Sequence, residues 1–169
     1  MAIDEHTLEQ RTRLARAIAH VYAEQGDTQA EIALKLGLSP SDASKLMHAH
    51  VDRFALDRLV ELAASSGLAV TMTVDAPAEP QASERPGPLA KRREPDYTEV
   101  GAMKRKLFGA FAGVIASHDG RSQAELSELF GIARSNLYAI RTGDATQFKL
   151  DKLVQLAPKF AVTVDFTAR

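Results

Sequence analysis

The fold is decided by one stretch of sequence, Thr28-Gln-Ala-Glu-Ile-Ala-Leu-Lys-Leu-Gly37, which carries a start signal and a stop signal for a short helix. Thr28 and Glu31 have the spacing of a capping box, in which a hydroxyl and a carboxylate satisfy free backbone amides at a helix start. Gly37 suits the left-handed conformation that closes a helix. Ser39 and Pro40 are residue types of an N-cap and a first helical position. The stretch therefore predicts two short helices joined by a tight turn.

The pattern returns 94 residues later in the chain. Ser122-Gln-Ala-Glu125 repeats the capping box, and Gly131 repeats the glycine stop. Across residues 28–63 and 122–157, 12 of the 36 aligned pairs are identical. This identity indicates a duplicated unit with the same succession of elements in both copies.

Apolar spacing and composition predict a mostly α-helical chain made of two tandem helix-turn-helix units. In each copy, apolar residues at helical spacing predict four or so helices, and an alternating segment at the end predicts one strand. Only 6% of the residues are aromatic, which favours packed helices over a sheet sandwich. The first repeat is assigned to residues 1–75 and the second repeat to residues 97–169. Residues 76–96 hold five of the seven prolines and are predicted to form a linker.

The two predicted strands, Val70–Val74 and Val162–Phe166, each need a partner, because a lone strand leaves its backbone edge unpaired. We expect them to pair with each other, antiparallel and about a pseudo-twofold axis. Their inward side chains would then close a shared core: Val70, Met72, Val74, Val162, Val164 and Phe166. The sequence leaves open whether this pairing joins the repeats of one chain or of two chains in a homodimer.

Composition excludes several classes of protein. The absence of cysteine excludes disulfides and thiolate metal sites, and no spacing of His, Asp or Glu indicates a metal site. No apolar run reaches the roughly 20 residues of a membrane span, and no signal segment opens the sequence. Glycine-rich phosphate loops and nucleophile elbows are also missing. We therefore expect a cytoplasmic protein that is not an enzyme, has no cofactor and binds no membrane.

The chain resembles the phage-repressor-like, xenobiotic-response-element family of helix-turn-helix regulators. The resemblance rests on Thr28-Gln-Ala-Glu-Ile-Ala-x-x-Leu-Gly37, followed by Phe54-x-Leu-Asp-x-Leu-Val60 and a terminal strand. It covers both repeats and is greatest for the branch that contains many antitoxins of toxin–antitoxin operons. It implies binding to double-stranded DNA, with the second helix of each short pair, the recognition helix, in the major groove.

The resemblance also implies which residues contact DNA. Gln29 and Gln123, at the start of the first helix of each pair, are implied phosphate contacts, since the amide end of a helix binds phosphate. On the recognition helix of the first repeat, the implied contacts are Pro40, Ser41, Ser44 and Lys45. On the recognition helix of the second repeat, the implied contacts are Arg134, Ser135, Asn136, Tyr138 and Arg141.

The second repeat is predicted to be the stronger DNA reader. Arginine can bond guanine at two points and asparagine can bond adenine, whereas the first repeat has Asp42 in place of Asn136. Residues 1–75 carry 7 Lys+Arg and 11 Asp+Glu, a net charge of −4, and residues 97–169 carry 10 and 7, a net charge of +3. Because DNA is a polyanion, the second repeat is the favoured anchor.

These observations predict a transcriptional regulator that acts as a repressor. Two alternatives stay open. One is an antitoxin that binds DNA and also a toxin, with the linker as the toxin-binding segment. The other is an adaptor whose acidic first repeat binds a protein partner. Asp42 favours the adaptor, as do Met47 and Ala49, which stand where the second repeat has Arg141 and Gly143.

Overall fold

A computed structural model describes residues 4–77, 98–118 and 120–169. Within these ranges the chain forms eight α-helices and two β-strands, which confirms the mostly helical prediction. Residues up to Met72 form one compact unit, unit 1, together with Asp165–Arg169, and Thr73–Val164 form unit 2. The predicted linker, residues 76–96, lies outside the described residues except for Ala76 and Pro77.

Unit 1 contains the helices of the first repeat. They are α1 (Glu5–Gln25), α2 (Gln29–Leu36), α3 (Pro40–Met47) and α4 (Leu56–Ser65), followed by strand β1 (Val70–Asp75). Their inward side chains make an aliphatic core, in which the following residues are at most 1% exposed: Leu14, Ile18, Ile32, Leu46, Leu56 and Leu59. The helical spacing of apolar residues in the sequence is therefore the spacing that builds this core.

Unit 2 contains the helices of the second repeat and an aromatic core. The helices are α5 (Glu99–Ala116), α6 (Gln123–Leu129), α7 (Arg134–Thr142) and α8 (Leu150–Leu156), with short 3-10 helices at Ala145–Gln147 and Ala157–Phe160. Strand β2 (Thr163–Ala168) follows, and its residues from Asp165 onward belong to unit 1. Phe160 stacks on Phe111 and on Phe130, with ring centroids 4.6 and 4.5 Å apart. Stacked pairs of this kind add about 0.5 to 1.5 kcal/mol beyond the burial of their area.

Both predicted capping boxes are present. The Thr28 hydroxyl accepts the N–H of Glu31 at 3.4 Å, and the Glu31 carboxylate accepts the N–H of Thr28 at 2.7 Å. Ser122 and Glu125 make the same two bonds at 3.2 and 2.7 Å. The hydroxyl and then the backbone amide of Thr28 lower the pKa of Glu31 below its ordinary value of 4.5, and Ser122 lowers the pKa of Glu125 in the same way. The start of the first helix in each pair is thus fixed by its own sequence.

The two strands pair in an antiparallel sheet, as predicted. Ala69 and Arg169 exchange both backbone hydrogen bonds, at 2.9 and 3.2 Å. This pair places Val70 opposite Ala168 and Met72 opposite Phe166. These two side chains lie on the inner face of the sheet, where Met72 is 4% and Phe166 0% exposed.

Two of the six predicted interface residues have other positions. Val162 precedes β2, which begins at Thr163. It is 4% exposed, but its N–H donates to the carbonyl of Ala157 at 2.9 Å and so belongs to the turn before the strand. Val74 is only half-buried, near the end of β1. Val70 and Val164 are buried as expected, at 9% and 0% exposed.

A buried glutamine holds the end of β2 within unit 1. Gln10 is fully buried, and its Oε1 accepts the N–H of Phe166 at 3.0 Å while its Nε2 donates to Asp165 at 3.3 Å. Asp165 also forms an ion pair with Arg13 at 3.1 Å. In the observed register the N–H of Phe166 points away from β1, so Gln10 satisfies a buried donor that would otherwise lack a partner.

The second helix of each short pair, α3 or α7, is followed by the same left-handed turn but with a different residue in it. Gly143 follows α7 at φ 74°, and Ala49 follows α3 at φ 54°. In each turn the next N–H donates to the carbonyl five residues back, from His50 to Lys45 at 2.8 Å in unit 1. Alanine in this conformation costs about 1 to 2 kcal/mol. Ala49, which stands where the second repeat has Gly143, therefore keeps the turn but strains its backbone.

We expect Ala49→Gly to raise the free energy of unfolding by about 0.5 to 1 kcal/mol, since the relief of strain exceeds the added entropy of the unfolded chain. Gly143→Ala should lower it by about 1 kcal/mol through the backbone alone, because no atom lies within 4 Å of the added Cβ. Urea unfolding followed by circular dichroism measures both. As the control, Ala64→Gly at an exposed position of α4 should lower the stability. If Ala49→Gly lowered the free energy of unfolding, as Ala64→Gly should, the backbone at Ala49 would not be strained.

Candidate DNA-binding surface

Two pairs of short helices, α2 with α3 and α6 with α7, are each joined by a tight turn. In the first turn, Gly37 has φ 60° and the N–H of Leu38 donates to the carbonyl of Ala33 at 2.8 Å. In the second turn, the N–H of Ile132 donates to the carbonyl of Ser127 at 3.1 Å, and the Ser127 hydroxyl donates to the carbonyl of Ile132 at 2.6 Å. The same hydrogen-bonded turn therefore closes both pairs.

Three of the predicted DNA contacts form one exposed stripe along α7, here called the α7 stripe: Arg134, Tyr138 and Arg141. Spacings of four and three residues place them within about 60° of one another around the helix. Leu137 and Ile140 are 0% and 1% exposed and anchor the helix. Among the residues that the structure describes, no carboxylate pairs with Arg134 or Arg141.

The other two predicted contacts of α7 have different positions. Ser135 is exposed beside the stripe. Asn136 is half-buried, and two residues along a helix place it about 200° around the axis from Arg134. The structure thus brings together Arg134, Tyr138 and Arg141 and sets Asn136 apart from them.

The equivalent stripe of α3, the α3 stripe, consists of Pro40, Ser44 and Met47 and carries no charge. Ser44 is half-buried on it, and Ser41 is exposed beside it. Lys45 lies about 100° around the helix from Ser44. The α3 stripe therefore offers DNA one hydroxyl, where the α7 stripe offers two guanidinium groups and a phenol.

Both lysines of the first helix pair form ion pairs with aspartates. Lys45 lies 3.7 Å from Asp42, which also accepts a hydrogen bond from the Ser39 hydroxyl at 2.8 Å. Lys35 pairs with Asp27, and that hydrogen bond raises the pKa of the lysine. The first of these pairs has a sequence signal, since residues three apart are neighbours on a helix. The Lys35–Asp27 pair joins residues eight apart across the start of α2, and no sequence signal predicts it.

Gln29 and Gln123 are the first residues of α2 and α6. Gln29 is exposed and Gln123 is half-buried. Each lies next to a capping box, where the carboxylate of Glu31 or Glu125 already accepts the N-cap amide. Their role as phosphate contacts stays a prediction.

Two further features bear on the classes of function. His48 and His50 stack with ring centroids 6.4 Å apart, and within the described ranges no three His, Asp or Glu residues are grouped to hold a metal ion. In the same ranges, no helix combines the length and the apolar character that crossing a bilayer requires.

Residues 1–75 match a family of helix-turn-helix domains. The matched segment runs from the start of the sequence to the end of β1 and includes the first helix pair. No curated protein and no solved structure matches the chain. Together, the match and the helix pair indicate a helix-turn-helix domain over residues 1–75, a fold typical of DNA-binding regulators.

Proposed function

We propose that the protein is a sequence-specific DNA-binding transcriptional repressor whose second repeat is the principal DNA reader. The observation that carries the proposal is the contrast between the α7 stripe and the α3 stripe. Arg134 and Arg141 are exposed and carry planar donor groups that match guanine and phosphate. Pro40 and Met47, at the equivalent positions of α3, offer neither a charge nor a hydrogen-bond donor in their side chains.

Charge supports the same assignment. The helix pair of the first repeat has two lysines, and both are held by Asp27 and Asp42. The net charge of −4 over residues 1–75, against +3 over residues 97–169, gives the second repeat the attraction to phosphate that binding requires. The family match lies on the first repeat and supports the fold there, whereas the choice of reader rests on these side chains.

A second candidate is a protein-binding adaptor or antitoxin that uses the first repeat. Leu34 on α2 is 84% exposed, and the nearby α3 stripe is uncharged. Apolar and locally neutral surface suits a protein partner better than a phosphate backbone. A toxin is one partner of this kind, and a short toxin-like reading frame beside the gene would favour it.

The test is a binding measurement with the full chain over a range of salt. Sites are selected from genomic fragments, and affinity is followed by fluorescence anisotropy. We expect a selected site that is an imperfect inverted repeat, with one half more sharply defined. For the neutralisation of about four to eight phosphates, the logarithm of affinity should fall with the logarithm of salt at a slope of about −4 to −7.

The control is a scrambled duplex of the same length and composition. A sequence-specific protein binds the selected site more tightly than this duplex at every salt concentration. Weak binding without sequence preference at any salt concentration would contradict the proposed regulator function. Retention of the chain by a protein partner in that case would favour the second candidate.

A further inference from the structure

Tyr138 is the aromatic residue among the large exposed hydrophobic side chains of the described ranges. It is 52% exposed in the second turn of α7, whereas the phenylalanines of unit 2 are buried. Arg134 stands four residues before it and Arg141 three residues after it. The ring therefore occupies the middle of the α7 stripe with a cation on either side.

Nothing within the described part of the chain explains this placement. The Tyr138 side chain makes no hydrogen bond and no ring contact with any described residue. Its backbone carbonyl accepts a bond from Thr142 at 3.0 Å, which any residue type would allow. An aromatic ring left half in water forgoes the burial that makes such rings stabilising. The ring is thus available to a partner, and no hydrogen bond or ring contact within the described residues ties it to the fold.

The chemistry of the major groove restricts what an apolar ring can contact there. Base edges in that groove present hydrogen-bond donors and acceptors, and their one apolar group is the C5-methyl of thymine. The two arginines suit guanine and phosphate, so the ring between them lies where a neighbouring base pair would present its edge. At the equivalent position of α3 the first repeat has Ser44, which has no comparable apolar surface.

We propose that Tyr138 is a specificity-determining residue that recognises a thymine through its C5-methyl group, by contact with the phenol ring. This inference rests on the proposed function, because it requires α7 to enter the major groove. It adds a requirement that DNA binding alone does not impose. The half-site contacted by the second repeat must contain a thymine whose methyl group contributes to affinity.

The experiment uses wild-type protein and its selected site. Each thymine is replaced in turn by deoxyuridine, which lacks only the methyl group, and affinity is measured by fluorescence anisotropy. We expect affinity to fall about fourfold at one thymine, which corresponds to the free energy of burying one methyl group. A selected half-site without thymine, or a full set of replacements without loss, would overturn the inference and leave the proposed function standing. Absence of any sequence-specific binding would remove the proposed function itself.

Variants assign the effect to the ring. Tyr138→Phe keeps the ring and should keep the sensitivity to deoxyuridine. Tyr138→Ala should bind more weakly and lose that sensitivity, with an unchanged circular dichroism spectrum because the side chain is exposed. Ser44→Ala, the matched change on α3, should leave the sensitivity as in the wild type. Full sensitivity in Tyr138→Ala would overturn the assignment.

Discussion

Replacing Arg134 with alanine is expected to weaken binding to the selected site by about 5- to 150-fold, which corresponds to about 1 to 3 kcal/mol. Arg134 is the first residue of α7, is exposed, and has no carboxylate partner among the described residues. Its guanidinium can therefore make two bonds to a guanine, and its loss should relax specificity at that base pair. Arg141→Ala should instead weaken all sequences alike, as expected for a phosphate contact. Anisotropy on the selected site and on its single-base variants measures both effects.

The matched variants of the first repeat decide which helix reads DNA. Lys45→Ala should cost less than Arg134→Ala, because Asp42 already offsets the charge of Lys45. Asp42→Asn should leave affinity unchanged or increase it, since it removes a negative charge close to DNA. Should Ser41→Ala and Lys45→Ala cost more than Arg134→Ala and Asn136→Ala, the first repeat would be the principal reader.

The first helix of each short pair was predictable because its ends have local chemical signals. The capping boxes at Thr28 and Ser122 and the glycine stops at Gly37 and Gly131 act over three to ten residues, so the sequence contains the whole cause. The strand pairing was also predictable, since an exposed strand edge needs a partner. Local signals therefore predict whether each element is a helix or a strand and its approximate bounds.

The register of the sheet was not predictable from local signals. An even shift of two residues keeps the same faces buried, so the apolar pattern of Val70, Met72, Val164 and Phe166 fits either register. Gln10 contacts β2 at Asp165, 155 residues away along the chain, and no sequence signal marks that contact. The left-handed alanines are a similar case, because Ala49 and Ala161 adopt φ 54° without the glycine that marks such turns.

The arrangement of the candidate site along α7 was predictable from the sequence, but the burial and pairing of its side chains were not. The arginines of α7 were identified from their chemistry, and the helical period places them on one stripe with Tyr138. The separate position of Asn136 follows from the same period, yet its half-burial depends on how α7 packs. The ion pair between Lys35 and Asp27 depends on the path of the chain between α1 and α2, which residue types alone do not specify.

The largest effect on stability is expected at the end of the chain, where Phe166→Ala should lower the free energy of unfolding by about 3 to 5 kcal/mol. Phe166 is fully buried within β2 and belongs to the same compact unit as the first repeat. Gln10 still holds the backbone at this position through the N–H of residue 166. The chain therefore cannot close fully over the missing ring, and the cavity adds to the lost burial. Urea unfolding followed by circular dichroism measures the change.

Two variants test whether burial causes this loss. Thr167→Ala alters the next residue, which is exposed and whose hydroxyl lies 3.5 Å from the carbonyl of Thr71, so it should cost less than about 0.5 kcal/mol. Phe166→Leu keeps most of the apolar volume and should cost about 1 kcal/mol, which provides a measurement if the alanine variant does not fold. Equal losses for Phe166→Ala and Thr167→Ala would contradict a core that depends on β2. A large loss for Phe166→Ala alone would show that the first repeat relies on the last residues of the second repeat for its stability.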